Sequence, residues 1–192
     1  MLAHWNDVIS FWFGAPASAE RGLPRKAWFE KSVEFDAGIR DRFSAVFEAA
    51  EAGRLDAWQD TPLAALALLI VLDQFPRNMF RGTARAFATD SRALAVARGI
   101  VARGYDAAYL TVERAFAYLP FEHAEDLAMQ RESLALFARL PPGPASASYR
   151  DYARRHHDVI ARFGRFPHRN EILGRASTAE EREFLSQPGS SF

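Results

Sequence analysis

The stretch Pro62-Leu63-Ala64-Ala65-Leu66-Ala67-Leu68-Leu69-Ile70-Val71-Leu72-Asp73-Gln74-Phe75-Pro76-Arg77-Asn78 decides the fold class. Its apolar run, Leu63 to Leu72, is half the roughly 20 residues that a membrane span requires, so it reads as a central helix buried on every side. Thr61 followed by Pro62 gives an N-cap and a first-turn proline, and Pro76 is expected to end the helix. Asp73 continues the Leu66, Leu69 and Ile70 side. A carboxylate there needs a partner, and Arg77, one turn later, is placed to supply it.

Working outward, helical periodicity dominates, and no segment combines alternation of period two with the Asn-Gly or Asp-Gly turns of hairpins. The chain is expected to be all-α, with helices over 4–13, 25–30, 34–52, 61–74, 90–103, 107–119, 122–140, 148–163 and 178–186. Gly53 and Gly104 stand where C-caps would, and Ser177 with Glu180 makes a capping box. Pro141 to Ser148 is an exposed connection too short to divide the chain. One helical domain over 1–192 is therefore expected, with 187–192 a frayed tail. Paired helices joined by short turns are the pattern of helical-hairpin stacks.

Composition bounds the function. A chain of 192 residues with 49% apolar and 25% charged residues is an ordinary globular protein. With 24 basic against 24 acidic residues it lacks the general positive field of a nucleic-acid or acidic-membrane binder. Absence of cysteine removes disulfides, thiol nucleophiles and thiolate metal sites, and suits a reducing compartment. The N-terminal apolar stretch Val8 to Phe13 has no Lys or Arg before Arg21 and carries Asp7, unlike a secretory signal, so a cytoplasmic location is expected. Trp5, Phe11, Trp12, Trp28, Phe29 and Phe35 read as packing residues.

Chemistry is signalled by polar residues on apolar faces. At about 100° per residue, a helix from Glu122 places His123, Leu127, Gln130, Leu134 and Phe137 in one stripe. A helix from Ser148 likewise joins Tyr149, Tyr152, Ala153, His156, Ile160 and Phe163. His123, Gln130 and His156 should face inward, and His157 should be solvated. Between Arg150 and Arg175 seven arginines meet three acids, and Arg165, Arg169 and Arg175 lie in a Gly- and Pro-punctuated segment where guanidinium groups can converge on an anion. Two segments echo one another: Gln74-Phe75-Pro76-Arg77-Asn78 and Arg165-Phe166-Pro167-His168-Arg169-Asn170.

These segments are expected to form opposite walls of one pocket for a small anionic ligand bearing phosphate or carboxylate. Arg77 and Arg81 would approach Arg165, His168 and Arg169, with Asp73, Glu113 and Glu125 intervening between the cations. Gln74, Gln130, Asn170 and Arg175 complete the ligand-binding set, and His123 or His156 would handle a proton. No metal or other cofactor is expected, since His-Glu-x-x-His and its reverse are absent and Glu122, His123 and Glu125 diverge around their helix. No Gly-x-Ser-x-Gly motif presents a nucleophile. The alternative is a scaffold that offers a groove to a peptide or protein partner.

Several segments together resemble the bacterial family called domain of unknown function 924. They are Phe11-Trp12-Phe13, Leu72 through Asn78, Arg81-Gly82-Thr83, Glu113-Arg114, Pro120 through His123 to Glu125, and above all Arg162 through Asn170. Leu173-Gly174-Arg175 and Ser177-Thr178 continue the resemblance over nearly the whole chain. Ala124 departs from it, where the family more often has serine. The resemblance implies an α-α superhelix of stacked antiparallel helix pairs, tetratricopeptide-like, and implies no particular activity.

Overall fold

The computed structural model describes residues 2–28 and 30–190, and all regular structure within them is helical. The helices are α1 (Trp5–Phe13), α2 (Val33–Glu51), α3 (Pro62–Met79), α4 (Asp90–Ala102), α5 (Thr111–Glu122), α6 (Leu127–Ala138), α7 (Pro144–Phe163) and α8 (Ala179–Leu185). Short 3-10 turns join several of them. The helix expected over 25–30 is one such turn, Lys26–Trp28. Phe29 lies outside the described residues, as do positions 191 and 192 of the expected frayed tail. Its described part is exposed from Gln187 to Gly189, but Ser190 is buried and its hydroxyl donates to the Leu185 carbonyl.

Helix α3 is the hub because it has no polar face before its end: every residue from Ala64 to Pro76 is buried. It packs against α1, α2, α4 and α5, and from α2 to α7 each helix also packs against the next in sequence. Trp12, Phe13, Trp28, Phe75 and Phe116 interlock through tilted, stacked and edge-on ring contacts, which bears out the packing role of Trp12 and Trp28. A smaller apolar cluster, Val159, Ile160 and Phe166, joins the end of α7 to α8 through Phe184. No described helix is long and apolar enough to cross a membrane.

Pro76 does not end its helix; α3 runs through it to Met79. Proline has no N–H for the carbonyl four residues back, so the Leu72 oxygen loses its helical donor. The Thr89 hydroxyl, buried just before α4, donates to that oxygen at 2.5 Å. The defect in α3 is thereby repaired by a neighbour, and the repair anchors the start of α4 beside Asp73. Thr89→Val keeps the shape and removes the donor, and is expected to lower unfolding stability by about 1–3 kcal/mol in urea titrations. Pro76→Ala should shrink that loss, because a backbone N–H then serves the same carbonyl.

Other boundaries shift for similar reasons. Helix α5 passes through Pro120 and closes at Glu122, with His123 as its C-cap, while α6 starts separately after the Asp126 N-cap. Helix α7 begins at Pro144, its first-turn proline, and α6 ends at Ala138, so the connection expected over Pro141 to Ser148 is instead the five residues Arg139 to Gly143. It ends at Gly164, whose φ of +69° suits glycine, and the second Phe-Pro pair therefore follows a glycine stop. The C-terminal capping box is Thr178 with Glu181, one residue beyond the expected Ser177 and Glu180. Thr61 holds the N-cap position of α3 without a side-chain cap bond.

Candidate functional site

The polar end of α3, the α5–α6 turn, the start of α4 and the segment after α7 converge. Asp73 is fully buried, and its carboxylate accepts from Gln74 Nε2 at 2.6 Å and from His123 Nδ1 at 2.8 Å. Arg77 Nη1 lies 3.4 Å from Asp73 Oδ1, so the expected pair forms. The same guanidinium makes two bonds to Asp90, at 2.8 and 3.1 Å, and donates to the Asp73 carbonyl. Burial alone would raise the Asp73 carboxyl, but Arg77 and then His123 outweigh it and hold the group well below the usual carboxylate range. Asp73 is an anion, and it keeps the Nδ1 proton on His123.

His123 itself is lowered from its ordinary value, chiefly by burial and then by the positive charge of Arg77, which together outweigh the pull of Asp73, so it is neutral near pH 7. Nδ1 is committed to Asp73, which makes Nε2 the basic nitrogen. His123 lines a cleft of about 420 Å³ together with Ala84, Phe87, Asp90, Ser91, Pro120 and Arg169, among others. The expected inward histidine is therefore a half-buried residue at the cleft wall, positioned by the end of α5 rather than by a stripe on α6. The remaining stripe predictions divide. Gln130 and His156 are buried as expected, whereas Tyr152 is exposed and His157 is half-buried against Asp158.

Arg169 is the cation at this wall. It is only 6% exposed, sandwiched between the Phe87 and Phe166 rings at 4.7 and 4.5 Å, and among the described residues its one side-chain hydrogen bond is to Asp90 at 3.3 Å. The buried Nε has no partner among the described residues. A guanidinium has five donors, so this one is under-bonded for its depth. Burial, then repulsion from Arg77, pushes it down to about 10, still charged at neutral pH. Beside it, Glu125 Oε1 accepts from the Phe166 amide, and both Glu125 oxygens accept from Arg175 at 2.6 and 2.9 Å. Arg175 is thus spent on Glu125. His168 is pushed down to about 4 by burial and by Arg169.

Behind the cleft lies a pair of which the sequence selected His156 for the site but not Glu122. Glu122 is 3% exposed, with Oε1 3.2 Å from His156 Nδ1, which also donates to the Tyr152 carbonyl at 2.9 Å. Burial, then the negative charge of Asp73, pushes Glu122 up to about 8. Burial likewise pushes His156 down to about 3. The pair is a neutral acid beside a neutral imidazole. His123 and His156 stand 6.4 Å apart, and His156 does not line the cleft.

Other predicted residues serve the scaffold. Gln130 donates to the Glu122 and Ala124 carbonyls at 2.6 and 2.8 Å, capping the end of α5. Asn170 ties Ser177, Glu181 and Arg175 together, and Arg165 makes a two-bond pair with Glu181. Arg81 turns away to Asp36 on α2. Glu113 lies outside this cleft, bonded to Arg21 and to the Leu110 amide. Arg77, His168 and Arg169 thus gather, while Arg81 and Arg165 do not. Asp90 and Glu122 are the gathered residues that sequence reasoning missed. No group of metal-ligating side chains occurs among the described residues.

A family model described as "Bacterial protein of unknown function (DUF924)" matches residues 8–189. The solved structure of a protein of unknown function from Agrobacterium tumefaciens is similar, with 42% identity and a TM-score of 0.84, covering 95% of this chain and 96% of that one. No curated protein matches the chain.

Proposed function

The chain belongs to the bacterial DUF924 family of proteins of unknown function, and from that premise we propose that it binds a small molecule through an anionic group at Arg169, with His123 as a base beside it. The observation that carries this reading is a buried, under-bonded guanidinium sharing a cleft wall with an imidazole whose Nδ1 is fixed by a buried carboxylate. An Asp-oriented neutral histidine is the arrangement by which general bases are held in one tautomer. The cleft volume falls within the range of small-molecule sites.

The ligand group is a carboxylate or phosphate. A panel of both is expected to raise the melting temperature of the wild type by about 5–10 °C at concentrations near 100 Kd. Arg169→Gln should lose the shift while keeping its helical circular dichroism. An anion-independent melting temperature, or an equal shift in Arg169→Gln, would overturn the assignment. Nitrogen NMR of the imidazole should find the Nδ1–H tautomer of His123 at pH 7.

A second reading has one observation in its favour. The sequential packing of α2 to α7 suits a tetratricopeptide-like stack, and such stacks offer grooves to peptides. Convergence of the polar groups on one compact cleft, instead of along a groove, favours the small molecule.

A further inference from the structure

The charges around the cleft limit what can enter it. Arg77 and Arg175 each hold a carboxylate by two bonds, Asp90 and Glu125 respectively, and Arg77 also serves Asp73. Three carboxylates therefore balance Arg77, Arg169 and Arg175, and the histidines are neutral. One anionic charge placed at Arg169 leaves the cluster one negative charge in excess. A phosphate, at about −1.5 to −2, would leave nearly two beside Asp90 and Glu125, in a poorly solvated cleft where like charges repel strongly.

The donors suit a single planar head group. Besides Arg169, the first turn of α4 reaches the cleft at Asp90 and Ser91, and the Asp90, Ser91 and Arg92 amides have no acceptor among the described residues. A helix start offers N–H groups and a partial positive charge. Thr89, held to α3 by its bond to Leu72, fixes this helix start in place. Most of the remaining wall is apolar, including Phe87, Leu94, Pro120 and Leu173.

We infer that the ligand is a singly charged carboxylate with a compact apolar body, its head group between Arg169 and the first turn of α4 and its body against Phe87, Leu94, Pro120 and Leu173. The inference rests on the anion-binding reading above and narrows it from carboxylate or phosphate to the carboxylate alone. The apolar body contributes affinity in proportion to the surface it buries, and the head group sets orientation relative to His123.

Four probes separate the elements of this inference in calorimetric titrations of the whole chain at pH 7 and fixed ionic strength: acetate, hexanoate, inorganic phosphate and hexyl phosphate. Hexanoate is expected to bind about tenfold or more tightly than acetate, because four methylenes leave water. It should also exceed hexyl phosphate by about tenfold, although that probe carries one more methylene, since the phosphate brings the larger negative charge. Leu173→Asn should erase most of the advantage of hexanoate over acetate, and Arg169→Gln should weaken both. Should Arg169→Gln fail to fold, the wild-type ranking and Leu173→Asn still decide.

Equal or tighter binding of hexyl phosphate would overturn the carboxylate inference and leave the anion site standing. Equal binding of acetate and hexanoate would overturn the apolar body. Absence of binding by all four probes would overturn the anion site as well.

Discussion

Arg77→Ala is expected to lower the unfolding free energy by about 3–5 kcal/mol, more than removing both Arg77 and Asp73 together. Asp73 is wholly buried at the end of a helix with no polar face, and the remaining donors to it, Gln74 and His123, are neutral. Without Arg77 a carboxylate stays in the interior with no cation of its own, and Asp90 loses two hydrogen bonds at the same time. Asp73→Asn with Arg77→Ala removes the charge that needed compensation, so the double variant should recover on the order of 2 kcal/mol relative to additivity. His123 should also respond. Its pKa is held down in part by Arg77, so in Arg77→Ala it should take up a proton more readily and partly replace the lost cation at acid pH. The Arg77→Ala deficit should therefore be smaller at pH 5.5 than at pH 8. Additive effects within about 0.5 kcal/mol, measured by urea unfolding, would show that the two residues do not act as a pair.

Local pattern carried part of this site and long-range geometry carried the rest. The Asp73–Arg77 pair and the burial of Gln130 and His156 follow from helical spacing, which one stretch of sequence contains in full. His123 was legible as a site residue but not in its position, because Pro120 looks like a helix stop. Proline near a C-terminus removes only one backbone bond, so α5 continues to Glu122 and carries His123 at its end. That extension also brings in Glu122, buried in the last turn of α5. Asp90 carries no sequence signal beyond its place at the start of the helix expected over 90–103; its partners Arg77 and Arg169 lie 13 and 79 residues away. Arg81, Arg165 and Glu113 resembled site residues by their neighbours in sequence. Their partners, Asp36, Glu181 and Arg21, are set by how the helices pack, which sequence spacing does not encode.

The pH dependence of stability should peak near pH 6.5–7 and fall on both sides, through two opposed sets of groups. His123, His156 and His168 all have folded-state pKa values below the ordinary histidine value, those of His156 and His168 at about 3 and 4. Below pH 6.5 the unfolded chain binds protons on them that the folded chain refuses, so their contribution is present above that pH and lost as pH falls toward the folded values. Glu122 works the other way. Its folded value is raised to about 8 from an ordinary 4.5, so the folded chain keeps a proton that the unfolded chain releases. That contribution is full below pH 4.5 and is lost as pH rises to 8. Each group accounts for at most about 1.4 kcal/mol per pH unit, which leaves a net acid limb of about 2–3 kcal/mol per unit and an alkaline limb of about 1.4. Glu122→Gln cannot ionise and should flatten the alkaline limb between pH 6.5 and 8 while steepening the acid one. His156→Gln should remove about one proton from the acid slope. Urea midpoints collected from pH 4.5 to 8.5 at constant ionic strength test both, and a Glu122→Gln profile parallel to the wild type would mean that Glu122 is ionised in the folded protein, with His156 as its charged partner.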